Sequence, residues 1–517
     1  MRAALALGAG LAQAASLAWP LSLQASPLLA LGLRAGQPVW WLQLLAMALL
    51  ALLLQTCRQW RQAAWMGWLF ALAWLGAAVG WTYVALNTYG GLSALLSMLA
   101  VFVFTGLMAL FYAAACGAFV AVRPRTSVSA AALFAALWLL AELARGTWLS
   151  GFGWGASGYA HVDGPLAGYA PWLGVYGLCA LSAWLGMTLV RFKRLPGGWA
   201  QLRSLALTFV VLGLPALFSW VVPPWSQPSG QLSVTLLQGN IAQDEKFEAG
   251  TGIPLALQWY GEQLKKSQTS LVIAPETAIP LLPQQLPADY WPELQQRFDS
   301  GQQAALIGIP LGDYQQGYTN SVLGLKPGQT TQWRYDKQHL VPFGEFIPQF
   351  FKWFTALMNI PLGDFNRGAP LQAPFVWQGQ KLATNICYED LFGEELAAQF
   401  SDLTLAPSIF VNISNLAWFG NGLAMNQHLQ IARMRSLEFE RAFVLSTNTG
   451  VSAIIDHRAR VLGALEPDTR AVLVGQVQGR VGVTPYAWWV ARFGLWPFWL
   501  LALALVLRAA RTRQTGR

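Results

Sequence analysis

The chain has 517 residues, of which 55% are hydrophobic and only 11% are charged. A soluble protein of this length normally carries about a quarter charged residues, so the composition excludes an ordinary soluble protein and indicates membrane-spanning segments. The net charge of +9 does not indicate a nucleic-acid partner, because residues 223–492 hold 18 basic and 22 acidic residues while the hydrophobic remainder holds 15 basic and 2 acidic ones.

Eight hydrophobic runs are long enough to cross about 30 Å of hydrocarbon. They predict eight transmembrane helices, near Ala3–Trp19, Val39–Thr56, Ala64–Val84, Ser93–Val122, Ser129–Leu149, Tyr169–Val190, Leu205–Val222 and Phe493–Leu507. The first run is also similar to the apolar region of a secretory signal, whose removal leaves the remaining topology unchanged.

The basic residues lie in alternate connections between these runs. One set, which includes both termini, holds 13 basic residues, and the opposite set holds Arg34 and little else. By the positive-inside rule, both termini are cytoplasmic and the large insert before the eighth run lies outside the cytoplasm. The excess of positive charge therefore reports membrane topology.

Polar residues inside the apolar region have two readings. Glu142 and Arg145 stand three residues apart on one helical face, and an intramembrane ion pair can mark function. Their position near the outer end of a run favours a structural pair. His161, in a Gly- and aromatic-rich loop, is expected to be an interfacial hydrogen-bonding residue rather than a catalyst.

The sequence pattern of the insert is typical of an α/β domain. Residues 223–230 read as a linker, which gives predicted domains of 1–222, 231–490 and 491–517. Helical patterns fall at Pro254–Lys266, Tyr290–Phe298, Leu391–Phe400 and Met425–Arg441. Strand-like runs fall at Leu232–Gln238, Ser270–Ala274, Ala304–Ile309, Asn320–Leu325, Leu382–Ile386, Leu403–Val411, Ala442–Ser446, Ser452–Ile455 and Ala471–Val477. Mixed elements over about 250 residues fit one layered α/β domain.

Cys387 stands where an apolar strand pattern gives way to a helical one. A thiol beside the N–H groups of a helix start is expected to favour the thiolate. The alternative is a small buried hydrophobic residue. The other cysteines, Cys57, Cys116 and Cys179, lie in or beside the apolar runs, so Cys387 has no evident disulfide partner.

Two further strand ends carry ionisable residues, Glu276 in LVIAPETAIP and Lys337 with Glu345 in WRYDKQHLVPFGEFIP. Strand ends of an α/β fold are where ligands bind, so the three ends can converge. Glu276 could take the proton of Cys387, and Lys337 with the N–H of Tyr388 could stabilise an oxyanion. Singly, each of these side chains also reads as an exposed or hydrogen-bonded charge, and the same holds for Glu389.

APETAIP, YDKQHLVPFGEFIP and NICYED resemble the Glu, Lys and Cys motifs of the nitrilase superfamily. LVPFGEFIP, together with SNLAWFG, QHLQIARMRSLE and STNTG, resembles the narrower family of bacterial apolipoprotein N-acyltransferases over nearly the whole chain. This resemblance implies an α-helical membrane bundle of eight transmembrane helices plus a nitrilase-like α-β-β-α sandwich on the periplasmic side of the inner membrane.

The resemblance also implies a two-stage acyl transfer. Cys387 takes an acyl chain from a phospholipid, commonly phosphatidylethanolamine, and the amino group of a diacylglyceryl-cysteine apolipoprotein then accepts it. Glu276 is implied as proton acceptor, Lys337 as oxyanion partner and Cys387 as nucleophile, with Glu345, Tyr388 and Glu389 in support.

The chain departs from the family pattern at two positions. Phe247 stands where members often carry Trp, a replacement that should be tolerated. Leu416 stands where they often carry Asp, which puts the hydrogen bonding of that loop in doubt rather than the catalytic set.

A long acyl chain should not cross water, because each exposed CH2 costs about 0.8 kcal/mol. The aromatic-rich segment Phe343–Phe365 is therefore expected to dip into the membrane interface and guide lipid to Cys387. An aromatic lid over the core is the alternative. Four aromatic residues are the candidate lipid contacts: Phe350, Phe351, Trp353 and Trp418.

Remaining features favour no other chemistry. The helix Met425–Arg441 is read as a core helix with solvated charges at Arg433, Glu440 and Arg441 rather than as a phosphate-binding face. The four histidines show no ligand spacing, so no metal or cofactor is expected. Two rivals stay open: a membrane-tethered amidohydrolase with the same three residues, and a non-catalytic membrane scaffold or transporter.

Overall fold

The computed structural model describes residues 1–22, 27–124, 126–192, 197–221, 223–329, 331–347 and 365–514. The chain forms two compact units. Unit 1 comprises Met1–Tyr83, Ala94–Pro224 and Arg492–Arg517, and unit 2 comprises Val84–Ser93 and Trp225–Ala491. The predicted domain 1–222 therefore differs from unit 1, because the short segment Val84–Ser93 belongs to the same compact unit as the insert.

Unit 1 is built from apolar helices. Its main helices are α1 (Arg2–Leu17), α2 (Trp40–Thr56), α3 (Trp60–Val79), α4 (Ala94–Val122), α5 (Ser127–Thr147), α6 (Ala170–Arg191) and α7 (Gly197–Val221), and the chain returns to this unit in Trp496–Gln514. Among the described residues, four helical segments are long and apolar enough to cross a membrane: Trp60–Val79, Ala94–Val122, Ser127–Ser150 and Ala167–Arg191. A fifth is added if Pro485–Phe493 and Trp496–Thr512, bent by 87°, count as one span.

A helical membrane region is thus present, but the predicted number of eight spans is not confirmed. The helices α1 and α2 have 16 and 17 residues. At about 1.5 Å per residue, each reaches about 25 Å, which is less than the hydrocarbon thickness of about 30 Å.

Three polar residues of unit 1 are buried and hydrogen-bonded: Glu142, Arg145 and His161. Arg145 Nη2 lies 2.7 Å from Glu142 Oε2, as the spacing predicted. Arg145 also donates to the Tyr112 hydroxyl, and Glu142 Oε1 accepts from the Ser157 hydroxyl. These contacts support the structural reading. His161 is buried and its Nε2 lies 2.9 Å from Gln43 Oε1, so it is a hydrogen-bonding residue inside the unit.

Unit 2 contains two six-stranded sheets. The first has the strand order β12-β1-β2-β3-β4-β5 and the second the order β11-β10-β9-β8-β7-β6. The strands are β1 (Ser226–Gln238), β2 (Leu271–Ile273), β3 (Ala304–Asp313), β4 (Gly317–Leu325), β5 (Trp333–Asp336), β6 (Phe375–Trp377), β7 (Gln380–Ile386), β8 (Ile409–Ser414), β9 (Ala442–Thr447), β10 (Ala453–Ile455), β11 (Val461–Ala464) and β12 (Ala471–Gly482).

The centre of each sheet is parallel and its edges are antiparallel. In the first sheet β1, β2 and β3 are parallel neighbours. In the second sheet β7, β8 and β9 are parallel neighbours. The carboxyl ends of parallel neighbours meet at one edge of a sheet, which is the place where α/β folds build ligand sites.

Side-chain alternation separates the layers. Leu271 and Ile273 of β2 belong to the core between the two sheets, whereas Val272 of β2 and Ala274, the residue that follows the strand, belong to a second core on the opposite face. That second core is covered by α8 (Gly252–Lys266) and α9 (Tyr290–Asp299). On the other side, α10 (Gly393–Ala398), α11 (Leu423–Phe439) and α12 (Pro485–Phe493) pack with the second sheet. Unit 2 is therefore an α-β-β-α sandwich, as predicted.

Several predicted boundaries were wrong. β1 begins at Ser226, so the second half of the predicted linker 223–230 is a strand. The predicted strand Leu403–Val411 begins only at Ile409, because the Asp402 carboxylate accepts from the backbone N–H of Thr404 and forms a turn there. The strands β5, β6 and β11 were not predicted, since each has only three or four residues and shows little alternation.

Candidate active site

The three predicted strand ends meet in unit 2. Glu276 follows β2, Lys337 directly follows β5, and Cys387 directly follows β7. β5 runs in the same direction as β2 and β3, since each of the pairs β3–β4 and β4–β5 is antiparallel. All three residues are buried, which rules out the reading of Glu276 and Lys337 as surface charges.

Lys337 lies between two carboxylates. Its Nζ is 2.8 Å from Glu345 Oε1 and 3.4 Å from Glu276 Oε1. Asn320 Nδ2 donates to the same two oxygens, at 2.9 Å and 2.7 Å respectively. Burial disfavours the charged form of Lys337, but the attraction of Glu345 and Glu276 outweighs it and raises the pKa of the ammonium. The carboxylates thus favour the charged form of Lys337, and two of its three N–H groups have partners among the described residues, which leaves one to meet a substrate oxygen.

The second oxygen of Glu276 is held from the other sheet. Glu276 Oε2 accepts from the backbone N–H of Asn415 at 2.8 Å. The turn that carries Glu276 also approaches β3 closely, and a Cβ on Gly308 would lie 2.2 Å from the Pro275 carbonyl oxygen. Glycine at position 308 thus permits the path of the chain that points this carboxylate into the site.

Cys387 is a free, buried thiol, and none of the four cysteines, all within the described part of the chain, forms a disulfide. Its φ of +51° is uncommon for a residue with a side chain, and such conformations concentrate at functional sites. Asn412 Nδ2 donates to the Cys387 carbonyl oxygen at 3.0 Å and fixes this backbone.

The expectation that a helix start favours the Cys387 thiolate was wrong. Cys387 begins a 3-10 turn, Cys387–Leu391, and the six-residue helix α10 starts only at Gly393. Burial is the main cause that raises the pKa of the Cys387 thiol; Glu276 adds to the increase, and Lys337 opposes it. The thiol therefore needs a neighbouring base to lose its proton.

Glu389 ties the Lys337 and Cys387 segments together. Its Oε1 accepts from the backbone N–H groups of Gln338 and His339, at 2.6 Å and 3.0 Å. Its Oε2 accepts from the Ile386 N–H at 2.6 Å and from the Tyr335 hydroxyl at 2.8 Å. Burial raises the pKa of Glu389 to about 7, although these hydrogen bonds favour its ionised form. The predicted supporting residue Tyr388 is buried and packs edge-on against His339 and Phe392.

Four residues of this site were missed from the sequence: Lys246, Asn320, Asn412 and Asn415. Lys246 is buried and its Nζ donates to the Glu276 carbonyl oxygen at 3.0 Å. The sequence position of two of them could have identified them as site residues: Asn415 lies in the SNLAWFG motif, and Asn320 begins a predicted strand. Lys246 directly precedes Phe247, a position at which the chain departs from the family pattern. By residue type alone, these four residues cannot be distinguished from ordinary polar residues on the surface.

The predicted lipid contacts are not all testable by geometry. Phe350, Phe351 and Trp353 lie in 348–364, outside the described residues. Trp418 is half-buried, and its ring meets Tyr89 edge-on at 5.6 Å. Its loop is the one whose first residue, Asn415, holds Glu276.

The two residues that depart from the family pattern, Phe247 and Leu416, lie in different environments. Phe247 is exposed. Leu416 is fully buried in the apolar core, and the Asn415 side chain keeps the loop in place by accepting from Asn448 Nδ2 at 3.0 Å and donating to Gln243 Oε1 at 2.7 Å. Leu416 is thus stabilised by packing in the apolar core, and the loop does not depend on a carboxylate at this position.

The helix predicted over Met425–Arg441 is a core helix, but its charges are not solvated. Arg433 is buried and donates to the Ala459 carbonyl oxygen at 2.8 Å. Arg441 is buried and donates to the Pro407 carbonyl oxygen at 2.6 Å. Within the described ranges, no group of three or more His, Cys, Asp or Glu residues is arranged to hold a metal ion.

Comparisons with known proteins agree on one family. Residues 25–188 match the family model described as "Apolipoprotein N-acyltransferase N-terminal domain", and residues 233–486 match "Carbon-nitrogen hydrolase". An apolipoprotein N-acyltransferase of Verminephrobacter eiseniae is 53% identical over 95% of this chain and 92% of its own length. One of Ralstonia nicotianae is 41% identical over 92% of this chain and 90% of its own length.

A solved carbon-nitrogen hydrolase of Helicobacter pylori is a remote structural neighbour. It is 16% identical, covers 52% of this chain and 94% of its own length, and has a TM-score of 0.36. The nitrilase-like fold of unit 2 is assigned on the family match and on the two sheets instead.

Proposed function

The chain belongs to the apolipoprotein N-acyltransferase family, and we propose that Cys387 carries the acyl chain as a thioester between a phospholipid donor and a lipoprotein acceptor. The chain is thus an enzyme of lipoprotein biosynthesis that acylates an N-terminal amino group. The observation that supports the proposed role of Cys387 is the free buried thiol beside a carboxylate and a lysine that are themselves held in place.

In the first stage, Glu276 accepts the thiol proton and the sulfur of Cys387 attacks the ester carbonyl of the phospholipid. The carbonyl oxygen becomes an oxyanion, which the third N–H of Lys337 and the backbone N–H of Tyr388 stabilise. The ester C–O bond then breaks, and the departing glycerol oxygen takes the proton from Glu276. A thioester and a lysophospholipid result.

In the second stage, the amino group of a diacylglyceryl-cysteine attacks the thioester carbonyl. Glu276 accepts a proton from the nitrogen, and the C–S bond breaks as the oxyanion collapses. The proton returns from Glu276 to the sulfur, which regenerates the thiol and leaves the acceptor as an amide. Glu345 and Asn320 hold the side chains of Lys337 and Glu276 in position through both stages.

The donor and the membrane arrangement belong to the same proposal. Phosphatidylethanolamine is the proposed donor, in a bacterial inner membrane with eight spans, both termini cytoplasmic and unit 2 periplasmic. The alternation of basic residues along the sequence supports this topology. The aromatic segment Phe343–Phe365 is proposed to guide the acyl chain, and one described contact supports it: the Phe365 N–H donates to the Glu345 carbonyl oxygen at 2.9 Å, so the segment starts and ends beside the site.

Intact-mass analysis after incubation with phosphatidylethanolamine tests the proposal. The wild-type chain should gain the mass of one acyl group, and Cys387→Ser should gain none. Adding a diacylglyceryl-cysteine peptide should remove the adduct and yield N-acylated peptide. Loss of the adduct to water at the same rate without the peptide would instead indicate a hydrolase, and a wild-type chain that never gains mass would contradict the thioester.

A further inference from the structure

Lys246 is a second buried lysine at the site, with no role in the two stages above. Its side chain is almost fully enclosed, and its Nζ donates to the Glu276 carbonyl oxygen at 3.0 Å. Its backbone N–H donates to the Ala242 carbonyl oxygen at 2.9 Å, so the turn after β1 fixes its position. In the described part of the chain this ammonium makes one hydrogen bond, to a neutral acceptor, and lies 6.0 Å from the centroid of the Phe247 ring, and burying a charge with so few partners is unfavourable.

The charges around Cys387 indicate a role for Lys246. Lys337 lies between the carboxyl groups of Glu276 and Glu345, so its ammonium already faces two acidic groups. Transfer of the thiol proton from Cys387 to Glu276 places a negative charge on the sulfur, in a site shielded from water. Besides Lys337, Lys246 interacts electrostatically with both Glu276 and Cys387, and Asp390 adds negative charge near the thiol. Asp390 is itself paired with the buried His428, whose Nε2 lies 3.1 Å from Asp390 Oδ2 and which also interacts with Glu276.

We infer that Lys246 is a positioning residue for the proposed thioester step: its ammonium holds the main chain of Glu276 and offsets the charge of the Cys387 thiolate. This inference rests on the proposed function of Cys387. It differs from the role of Lys337, which faces the oxyanion, because Lys246 acts on the thiol and on the base rather than on the substrate.

The protonation of Lys246 agrees with this geometry. Burial lowers the pKa of Lys246 to about 8, while Glu276 and Cys387 favour its charged form. A lysine whose pKa is lower in the folded than in the unfolded chain costs stability below its folded pKa, and the cost disappears as the pH rises toward the ordinary value of about 10.4. Removing the charge should therefore not destabilise the protein near neutral pH.

The rate at which iodoacetamide alkylates Cys387 tests the inference in the full-length protein, measured on the Cys387 peptide between about pH 6 and pH 10. Lys246→Met should slow alkylation about tenfold at neutral pH, and the difference from wild type should disappear toward pH 10, because Lys246 loses its charge above its pKa of about 8. Lys246→Gln can still donate to the Glu276 carbonyl but lacks the charge, and it should show the same pH-dependent difference. Lys246→Arg should restore most of the rate, and the exposed control Lys266→Met should change nothing.

A merely structural role predicts a different pattern. It would lower the rate by the same factor at every pH and would also lower the unfolding temperature. We expect Lys246→Met to unfold at the wild-type temperature or above it. A rate relative to wild type that is the same at pH 7 and pH 10, in both Lys246→Met and Lys246→Gln, would overturn the inference. Because alkylation needs no phospholipid, this outcome is separate from a failure of Cys387 to form the acyl thioester.

Discussion

At the scale of single residues, Glu389 shows how the site is kept rigid without touching the reacting atoms. Three of the four groups that it accepts from are backbone N–H groups, which can only donate. Two of these belong to the residues after Lys337, and the third is the residue before Cys387. A single buried carboxylate thereby fixes the distance between the proposed oxyanion partner and the proposed nucleophile.

Glu389→Gln should therefore be costly despite its similar shape. An amide NH2 group in place of either oxygen faces at least one backbone donor, and an unsatisfied buried donor costs about 1–3 kcal/mol. We expect a lower unfolding temperature and slower acyl loading of Cys387, measured by thermal unfolding and by intact mass.

Glu395→Gln is the matched control for this change. Glu395 is partly exposed, and its Oε1 lies 2.7 Å from Nδ1 of His339, a contact that an amide oxygen can keep. Its unfolding temperature should stay close to the wild-type value. Equal unfolding temperatures of Glu389→Gln and Glu395→Gln would show that the four donors around position 389 do not require a carboxylate there.

At the scale of elements, the segment 415–420 links the base to a distant part of the chain. The Asn415 N–H holds Glu276, and Trp418 packs against Tyr89 of the segment Val84–Ser93. That segment joins two apolar helices of unit 1 in the sequence and yet is part of unit 2. The position of the proposed base is thus supported by a segment that the sequence assigns to the membrane region.

The proposed lipid-guiding segment gives a prediction at the same scale. Replacing Phe350, Phe351 and Trp353 together by Ser should slow phospholipid-dependent loading of Cys387 about tenfold or more, because each exposed CH2 of the acyl chain costs about 0.8 kcal/mol. Time-resolved intact mass measures the loading rate.

Two controls accompany this triple variant. The same three positions changed to Leu should retain most of the rate, since the apolar surface is kept. Alkylation of Cys387 by iodoacetamide should be unchanged in the Ser variant, since the thiol itself is untouched. Loading at the wild-type rate in the Ser variant would discard the guiding role.

At the scale of the whole molecule, the proposed topology is open to a direct test. Alkaline phosphatase, which is active only outside the cytoplasm, should be active when fused after Arg34 or Gly91 and inactive when fused after Arg125 or Arg517. The physical reason is the retention of basic connections on the cytoplasmic side. An active enzyme fused after Arg517 would contradict a cytoplasmic carboxyl terminus.

A layered α/β domain was predictable because its strands carry strong apolar runs, such as Leu382–Ile386, whose pattern needs no tertiary information. The α-β-β-α order of the layers was implied by the family resemblance. The short edge strand β5 was not predictable, since Trp333–Asp336 has too few residues to show the alternation of apolar and polar side chains. The convergence of Glu276, Lys337 and Cys387 was predicted from strand ends. The partners that orient them, Asn320 and Asn415, were not, because their contacts join residues far apart in the sequence.

Composition, periodicity and long motifs are local properties of the chain, and they were enough to predict the membrane region, the layered α/β insert and the family. The electrostatic environment of Cys387 follows from the folded arrangement instead. A helix start was expected to stabilise the thiolate, whereas burial and then Glu276 raise the pKa of the Cys387 thiol, and the positive charge of Lys337 opposes that increase. Burial and long-range charge depend on which residues the fold brings together, and a linear pattern does not contain that information.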